Sequence, residues 1–180
     1  ATGSIGEQAD NSVTFTASDG KFEGGEISIF LVSQQVTGDF TLTAKLKSAG
    51  VPYEANQFPV GLMMCECDTA SGALSPLAHI GTHISGTDWV TQYGHVLFDG
   101  DGWNKTGDST VLTPGDNLYF RLKRDGQAYY AYYSTDGGAN FTQLGANTFT
   151  DLPDSLKVGL FAAPYFDDQS FTFEDIQLVQ

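Results

Sequence analysis

The feature that most constrains this chain is an alternating run broken by a single turn dipeptide. Leu118-Tyr119-Phe120-Arg121-Leu122-Lys123-Arg124 is followed by Asp125-Gly126 and then by Gln127-Ala128-Tyr129-Tyr130-Ala131-Tyr132-Tyr133. Side chains that alternate with period two are those of a strand with one face buried. Asp-Gly is a strong two-residue hairpin signal, because both central positions of a type I′ turn need positive φ. The spacing predicts that Arg124 faces Gln127, Leu122 faces Tyr129, Arg121 faces Tyr130, Phe120 faces Ala131 and Tyr119 faces Tyr132. Leu118, Phe120, Leu122, Tyr129, Ala131 and Tyr133 then make a core face, and Tyr119, Arg121, Lys123, Tyr130 and Tyr132 the opposite one.

The same punctuation recurs throughout. Short runs at 13–16, 26–32, 39–47, 59–67, 77–84, 89–93, 95–98, 117–124, 127–134, 156–163 and 170–179 read as strands between turn residues, and no stretch carries helical periodicity. The 21 Gly, 13 Phe and 8 Tyr residues fit strands and tight turns. The pattern predicts an antiparallel sandwich or barrel. No linker or repeat divides it, so residues 1–180 read as one domain, long enough to bury roughly 70% of its unfolded surface without a staple. Segments 48–57, 68–76 and 99–107 read as long loops. In the last run the apolar phase slips between Phe173 and Ile176, which predicts a bulge at Glu174-Asp175.

A formal charge of −14 repels nucleic acid and anionic membranes alike. Apolar stretches such as 159–163 fall far short of the roughly 18 residues that span a bilayer. Only 8 Lys and Arg residues amid abundant Thr, Ser, Asn, Gly and Tyr point to export, an extracellular protein. Cys65 and Cys67 sit one residue apart, a spacing poorly suited to bridging along a regular strand, and they read as free, core-forming thiols. No second Cys/His pair stands at zinc spacing.

Several residues invite a functional reading. Tyr119, Arg121, Tyr130 and Tyr132 put rings beside a guanidinium on a sheet surface, which suits the faces and hydroxyls of a sugar, although cross-strand Tyr pairing alone also stabilises strands. Trp89, Trp103, Tyr53 and Tyr93 lie in or beside expected loops, as anchors or platforms. His79 and His83 share a face beside Gly81, where a ligand would have room; at i and i+4 on a strand they stand roughly 13 Å apart, too far to share a metal, and are expected as independent surface histidines. Ser134-Thr135-Asp136-Gly137-Gly138-Ala139-Asn140-Phe141 matches the Asp-box pattern, a structural turn in which the Asp accepts backbone hydrogen bonds over an aromatic ring. Asp99-Gly100-Asp101-Gly102-Trp103-Asn104 lacks the later ligands of an EF-hand and reads as a solvated turn.

Taken in order, Gly38-Asp39-Phe40-Thr41-Leu42-Thr43-Ala44-Lys45-Leu46, Gly61-Leu62-Met63-Met64, Tyr119 to Gly126, the Asp-box hairpin, Lys157-Val158-Gly159-Leu160-Phe161 and Phe173-Glu174-Asp175-Ile176 resemble the concanavalin-A-like, laminin-G-like jelly-roll modules. Such modules are appended to secreted bacterial pectate lyases, family-43 glycosidases and other polysaccharide-degrading enzymes. The resemblance implies an all-β, two-sheet antiparallel jelly roll acting as a non-catalytic carbohydrate-binding module. It also implies a structural calcium, for which Glu23 or Glu26 with Asp175 are the nearest matches. The paired-carboxylate strand of retaining glucanases, the Gln-x-His motif of alginate-lyase-like jelly rolls and a Gly-x-Ser-x-Gly elbow are all missing, so a hydrolase or lyase is the weaker alternative. An adhesion or protein-interaction domain is the other. At −14, neutral glycans are favoured over polyuronates.

Overall fold

The computed structural model describes residues 2–7, 12–23, 26–49, 60–68, 73–85, 88–96, 110–115, 117–164 and 168–180. Among them there is no helix. The strands are β1 (Thr2–Glu7), β2 (Val13–Ser18), β3 (Lys21–Glu23), β4 (Glu26–Ser28), β5 (Phe30–Thr37), β6 (Phe40–Ala49), β7 (Val60–Asp68), β8 (Ala73–Ser85), β9 (Asp88–Val96), β10 (Thr110–Val111), β11 (Tyr119–Asp125), β12 (Ala128–Ser134), β13 (Thr142–Thr148), β14 (Ser155–Ala162) and β15 (Gln169–Val179). One sheet has the order β1-β2-β15-β6-β11-β12-β13 and the other β10-β9-β8-β7-β14-β5, while β3 and β4 pair separately. The last strand, β15, lies between β2 and β6, and β14 between β7 and β5, so the connections weave an all-β jelly-roll sandwich.

Alternation builds the core. Phe15, Leu42, Leu46, Phe120, Leu122, Tyr129 and Phe173 point inward from the seven-stranded sheet and meet Leu62, Met64, Ile80, Val158 and Leu160 of the other. All are buried. Burying each such side chain contributes on the order of 1.5–3 kcal/mol, which is what holds two sheets face to face.

The hairpin forms with its faces as expected, but its register is displaced by two residues. Asp125 pairs with Ala128, Arg124 with Tyr129, Lys123 with Tyr130, Leu122 with Ala131, Arg121 with Tyr132, Phe120 with Tyr133 and Tyr119 with Ser134. The turn is Gly126-Gln127 rather than Asp125-Gly126. Gly126 has φ +59° at the first central position, as a type II′ turn requires, and its N–H donates to Asp39 Oδ1 at 2.7 Å. Because the slip is an even number, every side chain keeps its face.

The bulge predicted in the last strand is present. The pairing of β15 with β6 shifts between Glu174 and Gln177, and Asp175 adopts φ +51°, a conformation that Asp tolerates better than most residues. The extra residue lets Phe173 and then Ile176 and Leu178 pack on the core, leaving Glu174 and Asp175 on the outer side.

Cys65 and Cys67 form a disulfide with a Cα–Cα separation of 5.2 Å, which overturns the expectation of free thiols. In a regular strand these Cα atoms would lie roughly 6.6 Å apart. The register of β7 against β8 breaks between these two residues, and the contraction moves the pair from the outer edge of the bridging range toward its middle. The runs 89–93 and 95–98, expected as two strands, contribute to one, β9. β13 went unforeseen, since Thr142-Gln143-Leu144-Gly145-Ala146-Asn147-Thr148 offers a single large apolar residue.

Candidate functional site

The outer face of the seven-stranded sheet gathers the polar and aromatic side chains that the alternation excludes from the core. From β11 come Tyr119, Arg121 and Lys123, and from β12 Tyr130 and Tyr132. Thr43, Lys45 and Lys47 come from β6, and Glu174 and Asp175 from the bulge of β15. Tyr130 and Tyr132 are half-buried, with ring centroids 6.4 Å apart and planes inclined by 26°. The Arg121 guanidinium lies 3.5 Å over the Phe141 ring, and its Nε donates to Thr43 Oγ1 at 3.0 Å. Lys123 Nζ stands 5.7 Å from the Tyr130 ring centroid.

The Asp-box hairpin frames one end. Asp136 Oδ1 accepts from the Ser134 hydroxyl at 2.6 Å and from the Asn140 N–H at 3.0 Å, while Gly137 and Gly138 take φ +76° and +83°. Those bonds, led by Ser134, hold the Asp136 carboxyl down at about 2. Gly138 lies over the Tyr119 ring, and Phe141 leaves the turn to meet Arg121. Sequence reading missed Phe141 and Thr43 because the first was assigned to the turn alone and the second to an ordinary strand position.

Electrostatically the face is an exception to the molecule. Lys45, Lys47, Arg121 and Lys123 are four of the chain's 8 Lys and Arg residues. Glu174 bonds Lys45 at 2.9 Å and also Lys47, which together hold its carboxyl below the usual range, Lys47 foremost. Lys123 pairs with Asp125 at 3.1 Å. Tyr119 Oη donates to Asp175 Oδ2 at 2.5 Å; that bond, then burial, then the carboxylate charge raise the phenol to about 12. Burial lowers the Arg121 pKa.

Other candidates lie elsewhere. Trp89 sits on β9 of the opposite sheet, in phase with Thr91 and Tyr93, which point inward. It therefore does not join the Tyr cluster. Tyr93 is no loop platform: its ring packs on Tyr129 at 6.5 Å and fills the space where a Cβ on Gly145 would be. Trp103, Tyr53, the turn at 99–104 and the loop at 48–57, apart from its strand residues 48 and 49, lie outside the described residues.

His79 is not a surface residue but fully buried, edge-on to Phe161 with centroids 5.6 Å apart. The room expected beside Gly81 is taken by Phe161, whose Cζ would lie 3.3 Å from a Cβ there. His83 is half-buried on the same face. Of the calcium candidates, Glu23 and Glu26 pair across β3 and β4, and Asp175 lies in the bulge of β15. Gln169 at the start of β15 pairs with Ala17, just before the chain passes toward β3, where Glu23 pairs with Glu26 of β4. Asp175 lies six residues beyond Gln169 on the same strand. Its carboxylate accepts from Tyr119, and no cluster of three His, Cys, Asp or Glu side chains suited to a metal occurs among the described residues. A cavity of about 290 Å³ opens near the bulge, lined chiefly by Val13, Val32, Leu42, Leu160, Ile176 and Leu178, with Ser33 and Gln34 its polar members, a mainly apolar lining unlike the polar face of the seven-stranded sheet.

Compared by sequence, the chain matches no family model and no curated protein. Compared by structure, it is similar to a protein from Saccharomyces cerevisiae described as functionally unknown, with a TM-score of 0.73 and 17% identity over 98% of this chain and 91% of that one. The fold is an all-β, two-sheet antiparallel jelly-roll sandwich. An engineered family-43 glycoside hydrolase with endo-xylanase and exo-arabinofuranosidase activity gives a TM-score of 0.65 and 14% identity, over 98% of this chain and 36% of that one. A xylan β-1,4-xylosidase from Bacillus halodurans also gives 0.65, with 13% identity over 93% and 33%. This chain thus spans about a third of the length of either enzyme.

Proposed function

We propose that this chain is a non-catalytic carbohydrate-binding module of a secreted polysaccharide-degrading enzyme, which holds its glycan on the outer face of the seven-stranded sheet. The observation that carries this reading is the half-open pair of stacked rings, Tyr130 and Tyr132, beside a guanidinium already fixed on Phe141. Aromatic faces take the apolar side of a sugar ring, and the fixed Arg121, with Tyr119 and Lys123, supplies hydrogen bonds to hydroxyls. Trp103 is proposed to close one end of the groove. The similarity to about a third of two xylan-active enzymes agrees with a module beside a catalytic domain.

A binder is favoured over a glycosidase by the absence from the sequence of the paired-carboxylate strand of retaining glucanases, and the two perturbed carboxylates of this face agree with it. Hydrolysis by a carboxylate pair needs one member held protonated. Here Glu174 and Asp136 are both held ionised, the first by Lys47 and Lys45 and the second by Ser134 and Asn140. Secretion is supported by the Cys65–Cys67 disulfide, since such bonds persist in oxidising compartments. The net charge of −14 favours glycans that are neutral over most of their length. A structural calcium is proposed with Asp175 as one ligand and Glu23 or Glu26, which pair across β3 and β4, as its partner. If that ion binds, EDTA lowers the melting temperature; an unchanged curve removes it.

The test is a glycan array with and without calcium, repeated on Tyr132→Ala. Binding to polysaccharide that Tyr132→Ala abolishes without loss of fold supports the reading. Purified protein that binds nothing on the array, or that turns a polysaccharide over, ends it.

A further inference from the structure

The cations of the outer face are not equivalent. Lys45 and Lys47 share Glu174, and Lys123 has Asp125. Arg121 has no carboxylate among the described residues. Its Nε is committed to Thr43, its plane is fixed 3.5 Å over Phe141, and Tyr132 stands directly across from it on β12. Neither Nη group donates a hydrogen bond to a described residue.

That arrangement runs against the rest of the molecule. In a chain of charge −14, a half-buried guanidinium would be expected to recruit a neighbouring carboxylate, as the three lysines do. Instead it is oriented and left open. A planar fork with two parallel N–H donors matches a carboxylate in bidentate fashion, and fixing the fork beforehand reduces the ordering cost of binding. Tyr130 and Tyr132 lie alongside as a platform for the ring that would carry the acid. Opposed to this is the overall charge, which repels a chain acidic at every residue; that repulsion is long-ranged, whereas the Arg121 contact acts within a Debye length of roughly 8 Å.

We propose that Arg121 is a specificity-determining residue for an acidic sugar, and that the face takes a largely neutral glycan bearing an isolated uronic acid whose carboxylate docks on the two Nη groups. This rests on the carbohydrate-binding reading above.

The experiment compares an oligosaccharide carrying one glucuronic acid with the same compound after reduction of that carboxyl to the alcohol, which keeps the ring and removes the charge. Wild-type protein should bind the acid roughly tenfold more tightly than its reduced form, and rising salt should shrink the difference. Arg121→Gln should erase the preference, so that acid and reduced form bind with equal affinity, and Arg121→Lys, which keeps the charge but not the fork, should keep an intermediate preference. Polygalacturonate should bind more weakly than the singly branched compound. Equal binding of acid and reduced forms by wild type overturns the acidic-sugar assignment and leaves the sugar face standing; failure to bind either form overturns both. A preference that survives in a folded Arg121→Gln places the acid elsewhere and also overturns the assignment.

Discussion

The two outer faces of this sandwich both hold the side chains that alternation turns away from the main core, and they end in opposite states. On the six-stranded sheet, β7, β8 and β14 turn Met63, Cys65, Leu77, His79 and Phe161 away from the main core, yet all five are fully buried, with Ile29 and Leu31 packed against them. On the seven-stranded sheet, Tyr119, Arg121, Tyr130 and Tyr132 also point away from the core and stay only half-buried, joined by ion pairs and hydrogen bonds. The mainly apolar first face is covered, whereas the second pairs most of its polar groups within its own surface, the Arg121 Nη groups excepted. A face of the second kind can meet a ligand without unfolding anything.

The comparison breaks first on a ring from each face. Phe161→Ala removes a fully buried side chain from the covered face and should cost about 3–5 kcal/mol in chemical denaturation. The same truncation at Tyr130 should cost clearly less, since that ring is half-exposed. Equal losses would mean that the Tyr130 face is also covered.

The disulfide sharpens the same contrast, because it belongs to the covered face. Reducing Cys65–Cys67 should cost about 1.5 kcal/mol, since closing so short a loop constrains the unfolded chain only slightly. In a domain of this size that is roughly a 3–6 °C fall in Tm. Thiol titration of the native, non-reduced protein should find no free cysteine, and two titratable thiols before any reductant is added would restore the free-thiol expectation.

On the open face the effect belongs to binding instead. Tyr130→Ala should weaken glycan affinity by about 1 kcal/mol or more, and Trp103→Ala by a similar amount if the loop closes the groove. Calorimetric titration of both variants, beside their melting curves, decides between ligand contact and packing: wild-type affinity in two folded variants would displace the site.

How far the sequence could be read follows from these faces. Period-two alternation announced which side chains share a face, and it survived even the two-residue slip of the hairpin, because an even slip preserves phase. The bulge at Asp175 was legible as a phase break between Phe173 and Ile176. Which face is covered was not legible, since covering depends on long-range packing of segments such as β4–β5 that alternation does not encode; hence His79 was expected at the surface and is buried. Cys65–Cys67 was missed for a related reason: a regular strand was assumed, and the register break against β8 is a tertiary event. Arg121 was placed on the right face, but its anchoring needed Phe141 from the following hairpin and Thr43 from β6, two residues no local pattern connects.

The smallest expected effect concerns the hydrogen bond that ties β11 to the bulge. Tyr119 donates to Asp175, and its phenol is raised to about 12 from an ordinary value near 10. A raised pKa means that the folded state favours the protonated phenol. The contribution is therefore fully present below pH 10 and is lost as pH climbs from 10 toward 12, where the unfolded chain ionises first. Tyr119 is only half-buried, so the stability change itself should be slight, and the clearer signal is spectroscopic. Phenolate absorbance should show one tyrosine titrating later than the exposed ones, while Tyr129, raised further by burial, ionises only on unfolding. Asp175→Asn removes the carboxylate charge and weakens the acceptor, and should move the late component toward 10; Tyr119→Phe should delete it. A late component of unchanged midpoint in Asp175→Asn would show that the bulge does not hold Tyr119, and would leave the end of the open face next to the Asp-box turn without its anchor.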